Sequence, residues 1–183
     1  MKRLNLSIFL MISAVILFSS CDETETFDDK WKQENETQFA AIAANAAYTK
    51  LNSQSGNGFV MYKEIESGEG ATPYFTDQVK VLYTGWFKRE WSKPDTYTDD
   101  KGNSIFNKII FDSTSNRNDI PSTMVISNSS VPDGLMTALQ HMQVGDKWEV
   151  WVPWKLGYGE AGNSSIKGYT TLVFEIELVA IVE

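Results

Sequence analysis

Apolar and polar residues alternate with a period of two at several places along the chain, and each such place predicts a strand with one buried face. The alternation is clearest where Trp148, Val150 and Val152 interleave with Lys147, Glu149 and Trp151; Pro153, which has no backbone donor, ends that ladder. The following loop, Trp154 to Gly159, mixes aromatics with Gly157 and Gly159, and loops carried by a rigid strand are where binding surfaces tend to sit. Val79, Val81 and Tyr83 alternate with Lys80, Leu82 and Thr84 in the same way. Phe59 to Ile65, closed by Ser67-Gly68-Glu69-Gly70, reads as another strand, as do Ile109 to Asp112, Met124 to Ile126 and the long Leu172 to Val182.

A helical period takes over elsewhere. Between Pro132 and Met142, Leu135, Met136, Leu139 and Met142 recur at three-and-four spacing until Val144-Gly145. Trp31 to Leu51 lacks Gly and Pro and is rich in Ala, Gln, Glu and Lys, which predicts a helix with Phe39, Ile42, Ala43, Ala46 and Ala47 on one face. That stripe needs a partner. Packing on the following domain is the default for so short a helix; a second copy, or projection of the domain from a membrane, are the alternatives. Asn52 to Gly58 reads as a turn or flexible joint at a domain boundary. One short helix against an antiparallel sheet makes the class α+β.

Composition narrows the function. The 183 residues, 42% hydrophobic, suffice for one ordinary domain with appendages. A formal net charge of -8 without a basic cluster argues against nucleic-acid binding, which needs phosphate neutralisation. The single cysteine, Cys21, excludes an intramolecular disulfide, and with only His141 beside it no zinc site of several His or Cys ligands can form. A carboxylate-only calcium or magnesium site stays open in principle, but no loop has EF-hand spacing, and no metal or cofactor is expected. His141 has no acid-base partner near it in sequence and is expected to be ordinary.

Met1 to Ser20 begins with Lys2 and Arg3, continues with an apolar run from Leu4 to Phe18, and is shorter than the roughly 20 residues that span a bilayer. This is the pattern of a signal peptide. Leu17-Phe18-Ser19-Ser20-Cys21 resembles a bacterial lipobox, which implies a lipid on Cys21 and a lipoprotein of the cell envelope, at the outer membrane, on its periplasmic or surface side. Residues 21–30, with Asp22, Glu23, Glu25, Asp28 and Asp29, form an acidic tether; the run resembles the surface-export signal of Bacteroides-group lipoproteins, or is simply a solvated spacer.

The ordered motifs of residues 59–183 carry a more specific signal. VKVLYTGWF at Val79–Phe87, IFDST at Ile110–Thr114, VPDGLMTALQHMQVGDKWEVWVP at Val131–Pro153, LGYG at Leu156–Gly159 and TLVFEIEL at Thr171–Leu178 resemble the FKBP-type peptidyl-prolyl cis-trans isomerases. The resemblance implies an FKBP-like twisted antiparallel sheet wrapped around one short helix, here preceded by an N-terminal helix. It implies an apolar pocket that accelerates rotation of X-Pro bonds in polypeptide substrates without cofactor or covalent intermediate. Carried over by position, Tyr83, Asp112 and Tyr158 take the catalytic roles, with the Tyr158 hydroxyl donating to a substrate carbonyl. Phe111, Val131, Pro132, Leu135, Ile166 and Phe174 line the substrate pocket, and Arg117 is the expected ion-pair partner of Asp112.

Departures from the family pattern point to a second reading. Pro132 stands where an isoleucine gives its N–H to the ligand, Leu135 replaces the tryptophan of the pocket floor, and Ser122 falls where an aromatic lines the rim. Ile166-Lys167-Gly168 stands in place of Ile-Pro-Pro, and residues 88–108 form a polar insertion, read as a surface loop or client-recognising flap. These changes fit a catalytically weak chaperone or binding module on a lipid anchor. By alternation Trp151 faces away from Trp148, and an outer patch of Trp151 and Leu82 covered by the N-terminal helix is expected. The sequence leaves clients and oligomeric state open.

Overall fold

A computed structural model of the chain describes residues 27–182. The signal peptide, Cys21 and the start of the acidic tether lie outside the described residues.

After helix α1 (Phe27–Ala43) come β1 (Thr49–Asn52), β2 (Phe59–Glu66), β3 (Gln78–Lys88), β4 (Thr96–Thr98), β5 (Ser104–Phe106), β6 (Lys108–Ser113) and β7 (Ser122–Val125). Helix α2 (Asp133–Leu139), β8 (Lys147–Val152) and β9 (Leu172–Val182) complete the chain. The strands form a 7-stranded sheet in the order β1-β2-β8-β9-β3-β6, with β7 also pairing β3, and every pairing is antiparallel. The long β3 therefore serves β9 along one edge and shares its other edge between β7 at Gln78–Val81 and β6 at Thr84–Lys88. That division opens the sheet beside Tyr83.

Alternation sends Val150 and Val152 of β8, Val79 and Val81 of β3, and Ile176 and Leu178 of β9 to one face. There they enclose Leu135, Ala138 and Leu139 of α2 in the main core, all fully buried. Fully burying side chains of this size stabilises the fold by roughly 1.5–3 kcal/mol each. The strand at Lys147–Val152 stops before Pro153, and the closing strand begins at Leu172, both as the sequence predicts.

The opposite face carries a second cluster. Met61, Trp151, Val173 and Trp86 stand in register across β2, β8, β9 and β3. Phe39 and Ile42 of α1, with Tyr48 and Trp91, pack over this row. Trp151 is thereby covered by the N-terminal helix, as expected. Leu82 is not: it is paired with Glu177 outside this cluster and half-buried, because its position on β3 lies four pairs along the strand from Trp86 in that row.

The helix itself differs from its expected bounds. It starts at Phe27, so the end of the expected tether is helical, with Asp28 and Asp29 favourably placed at the positive end of the helix dipole. It stops at Ala43 rather than Leu51. Asn45 uses its side chain to accept from the Ala47 N–H at 2.9 Å, a local bond that competes with the helix, and Thr49–Asn52 then pair with β2. The expected joint is the turn of that β1–β2 hairpin, and Ser53 in it donates to Asp133 at 2.7 Å.

Residues 88–108 hold the hairpin β4–β5. One fully buried side chain ties its base: Asn107 Nδ2 donates to the carbonyls of Glu90, Lys93 and Pro94 at 2.9 Å each, and its Oδ1 accepts from the Glu90 N–H at 2.9 Å.

Candidate active site

A cleft of about 470 Å³ opens between α2, β3, β6, β7 and the loops flanking β9. Phe111, Leu135, Ile166 and Phe174 supply its apolar lining, and Tyr83, Asp112, Val131, Pro132 and Tyr158 also border it. All of the pocket residues expected from sequence thus converge here except Arg117, which stands behind Asp112. The cleft also takes in Met124, Val125, Asn128 and Ser164. Sequence reasoning saw Met124 and Val125 only as part of a strand and passed over Asn128 and Ser164, since loop residues carry no periodic signal.

Local structure explains the aromatic wall. Phe111 packs edge-to-face on Phe174 at 5.6 Å between centroids, a favoured aromatic geometry, and Gly85 pairs with Asp112 on one side and Phe174 on the other. A Cβ on Gly85 would lie 2.5 Å from the Phe111 ring, so only glycine lets that ring settle against β3. Phe87 continues the stack, 6.4 Å from Phe111.

Asp112 sits at one edge with both oxygens engaged. Tyr83 donates its hydroxyl proton to Oδ2, and Arg117 Nη1 donates to Oδ1 at 3.0 Å. Arg117 is brought back to Asp112 by a short 3-10 helix, Thr114–Arg117, which Ser113 caps by accepting from the Ser115 N–H. Its other nitrogen, Nη2, donates to Ser122 Oγ at 3.1 Å, so Ser122, expected at the rim, instead serves as an acceptor for Arg117. Burial raises the Asp112 pKa, but the Tyr83 and Arg117 hydrogen bonds and the Arg117 charge outweigh it and hold the carboxyl below its ordinary value. Burial, then the bond to Asp112, pushes Tyr83 up to about 12. The edge is a fixed negative charge beside a neutral phenol at neutral pH.

Tyr158 arrives differently. Pro153 ends β8, a single 3-10 turn at Trp154–Leu156 follows, and Gly159, at φ +68, bends the chain away. Burial, then the Asp112 charge, raises the Tyr158 pKa, so its hydroxyl remains protonated and available to donate. Among the described residues that hydroxyl has no protein hydrogen-bond partner. Pro132 caps α2, and its carbonyl accepts from the N–H groups of Leu135 at 2.9 Å and Met136 at 3.0 Å, but it offers the cleft no donor. His141 lies apart in the exposed turn after α2, its Nδ1 2.8 Å from the Thr137 carbonyl. Among the described residues no group of His, Cys, Asp and Glu is placed to hold a metal ion.

An antiparallel sheet wrapped on one short helix, with an aromatic cleft between them, defines a fold class, and the sequence profile for FKBP-type peptidyl-prolyl cis-trans isomerases matches residues 70–179. The chain belongs to that family. It is 34% identical over 151 residues to the FKBP-type 22 kDa peptidyl-prolyl cis-trans isomerase of Escherichia coli K12, an alignment covering 79% of this chain and 63% of the relative. It is 37% identical over 140 residues to the FKBP-type isomerase FkpA of Aeromonas hydrophila, covering 76% of this chain and 44% of that one. The chain therefore spans about half to two thirds of the length of these curated relatives. Among solved structures, a peptidyl-prolyl cis-trans isomerase from Pseudomonas syringae superposes with a TM-score of 0.63 at 27% identity, covering 87% of this chain and 99% of that one.

Proposed function

We propose that this protein accelerates cis–trans rotation about X-Pro bonds in exported polypeptides. The observation that carries the reading is the Tyr158 hydroxyl, protonated and, among the described residues, unpaired beside a cleft walled by Phe111, Leu135, Ile166 and Phe174. The X-Pro barrier of about 18–20 kcal/mol arises from amide resonance. A twisted amide has lost that resonance and its charge separation, so an apolar wall favours it over the planar form. A donor aimed at the flanking carbonyl holds the twisted geometry. No proton changes hands, and the Asp112 edge orients Tyr83 and the rim.

The missing Pro132 donor favours a second reading, a module that binds proline segments with little catalysis. An isomerisation assay uncoupled from proteolysis, run beside calorimetric binding of the same proline tetrapeptide, separates the two. Acceleration that falls in Tyr158→Phe is the expected result. Binding without any acceleration by the wild type sinks the enzyme reading and leaves the module.

We further propose that Cys21 carries the lipid that anchors the protein to the outer membrane. The Leu17–Cys21 pattern supports this, and among the described residues no helix is long and apolar enough to cross a membrane. Metabolic labelling with an alkyne fatty acid should mark the wild type and not Cys21→Ser; equal labelling of both would refute the anchor.

A further inference from the structure

We propose that α1 belongs to the working parts of the site, with Trp31 and Asn35 as positioning residues that hold the Gly159–Thr171 loop against the cleft. The proposal rests on the functional reading above, and α1 lies outside the matched residues 70–179.

The loop forms one wall of the cleft with Asn163, Ser164, Ser165 and Ile166. Its two limbs are tied into one body. Tyr169 donates its N–H to the Gly159 carbonyl at 3.0 Å, Asn163 donates to Ile166 at 2.8 Å, and a Cβ on Gly168 would lie 1.8 Å from the Glu160 oxygen. Whatever holds the returning limb therefore sets the position of Ile166.

α1 holds that limb residue after residue. Lys167 Nζ lies 2.6 Å from Asp28 and 3.7 Å from the Phe27 ring centroid. Trp31 Nε1 donates to the Gly168 carbonyl at 3.0 Å in a buried bond. Lys32 sits 4.8 Å from the ring centroid of Tyr169, whose φ of 61° is a strained value for a residue with a side chain. Asn35 Oδ1 accepts from the Thr171 N–H at 2.8 Å, and the Asn35 carbonyl accepts from Thr171 Oγ1 at 3.2 Å.

A second route leads from the same helix. The Trp31 ring meets Phe87 edge-on at 6.4 Å, and Phe87 stacks on the cleft residue Phe111. Asn35 Oδ1 also accepts from Trp91 Nε1 at 3.0 Å, which adds the insertion to the same node. A helix that only covered apolar surface would have no use for an asparagine at 0% exposure; here its polar atoms are committed to the loop, the insertion and its own helix.

The test uses the full chain with Asn35→Ala, which removes the acceptor for Thr171 and Trp91, and Trp31→Phe, which keeps an aromatic ring and removes the donor to Gly168. For a proline tetrapeptide, Asn35→Ala should raise KM about fivefold while kcat stays within about twofold, with Trp31→Phe smaller in the same direction. Hydrogen exchange supplies a readout independent of turnover. The Ser165 and Ile166 amides, both held by Asn163 Oδ1 at 2.8 Å, should exchange roughly tenfold faster, while β3 and β9 amides are unchanged. Unchanged Ser165 and Ile166 exchange, or acceleration spread evenly over loop and strands, overturns the proposal. If the wild type lacks isomerase activity the functional reading fails, and exchange alone still decides the clamp; Trp31→Phe decides it if Asn35→Ala does not fold.

Discussion

The two faces of the central sheet are both rich in aromatic rings, yet they end in opposite states. On the outer face, Trp86, Trp91 and Trp151 meet at 5.4–6.2 Å and the helix α1 closes over them; Trp91 Nε1 donates to Asn35 Oδ1, and Trp151 Nε1 and the Tyr48 hydroxyl both donate to Glu149 Oε1. On the inner face, Phe111, Phe174 and Tyr158 stop short of closure, and among the described residues the Tyr158 hydroxyl has no hydrogen-bond partner. Aromatic content alone does not mark a binding site. What separates the two is whether the last donors find partners: Glu149 and Asn35 supply them on the outer face, and at the cleft nothing among the described residues does so for Tyr158.

Trp151→Ala should break the sealed face most severely, with a loss of about 3–5 kcal/mol in urea unfolding because the cavity lies under a fixed helix. A loss below about 1 kcal/mol would mean that the cover is loose. On the open face the balance reverses: Tyr158→Phe should lower kcat/KM roughly tenfold while leaving the unfolding midpoint unchanged. A variant that lost stability instead would show the hydroxyl to be structural.

That reversal bears on how much could be read from sequence. Alternation located β8, β9 and the inward set of Val79, Val81, Val150 and Val152, because burial on one face leaves a period of two. The resemblance placed Tyr83, Phe111, Asp112 and Tyr158 in one cleft, and they are there. It could not supply Asn35, whose buried side chain reads as polar and exposed, nor Trp91, which sits in an insertion without a period. The helix end was misjudged because Ala44–Ala47 have high helix propensity; Asn45 and the β1–β2 pairing prevailed over it. Leu82 was grouped with Trp151 by face alone, although distance along the strand also decides who meets.

The pH profile gives a finer distinction. Asp112 is held below its ordinary value of 3.8, so its carboxylate contribution is complete above that value and is lost as pH falls through the lower folded pKa. Tyr83 and Tyr48 are both raised to about 12 from 10.0, so the folded state holds their protons longer and loses that stability as pH rises from 10 toward 12. Isomerisation should therefore be flat between about pH 5 and pH 9. A bell-shaped profile centred near neutrality would imply a proton-transfer step and undo the proposed chemistry. The smallest effect belongs to Leu82→Ser, expected within about 0.5 kcal/mol by the same urea titration, since this side chain belongs to neither cluster.

Asn107 has a consequence for how this scaffold can diversify. Because one buried amide fastens the base of residues 88–108 to Glu90, Lys93 and Pro94, the hairpin beyond it is mechanically separated from the β3–β6 pairing that carries Phe111 and Asp112. The segment behaves as a cassette: its tip, turning at Gly102 with open space around it, can be lengthened, recoloured in charge or exchanged while the cleft keeps its shape. The length and charge of the insertion and the shape of the cleft can then change on separate schedules within one small domain.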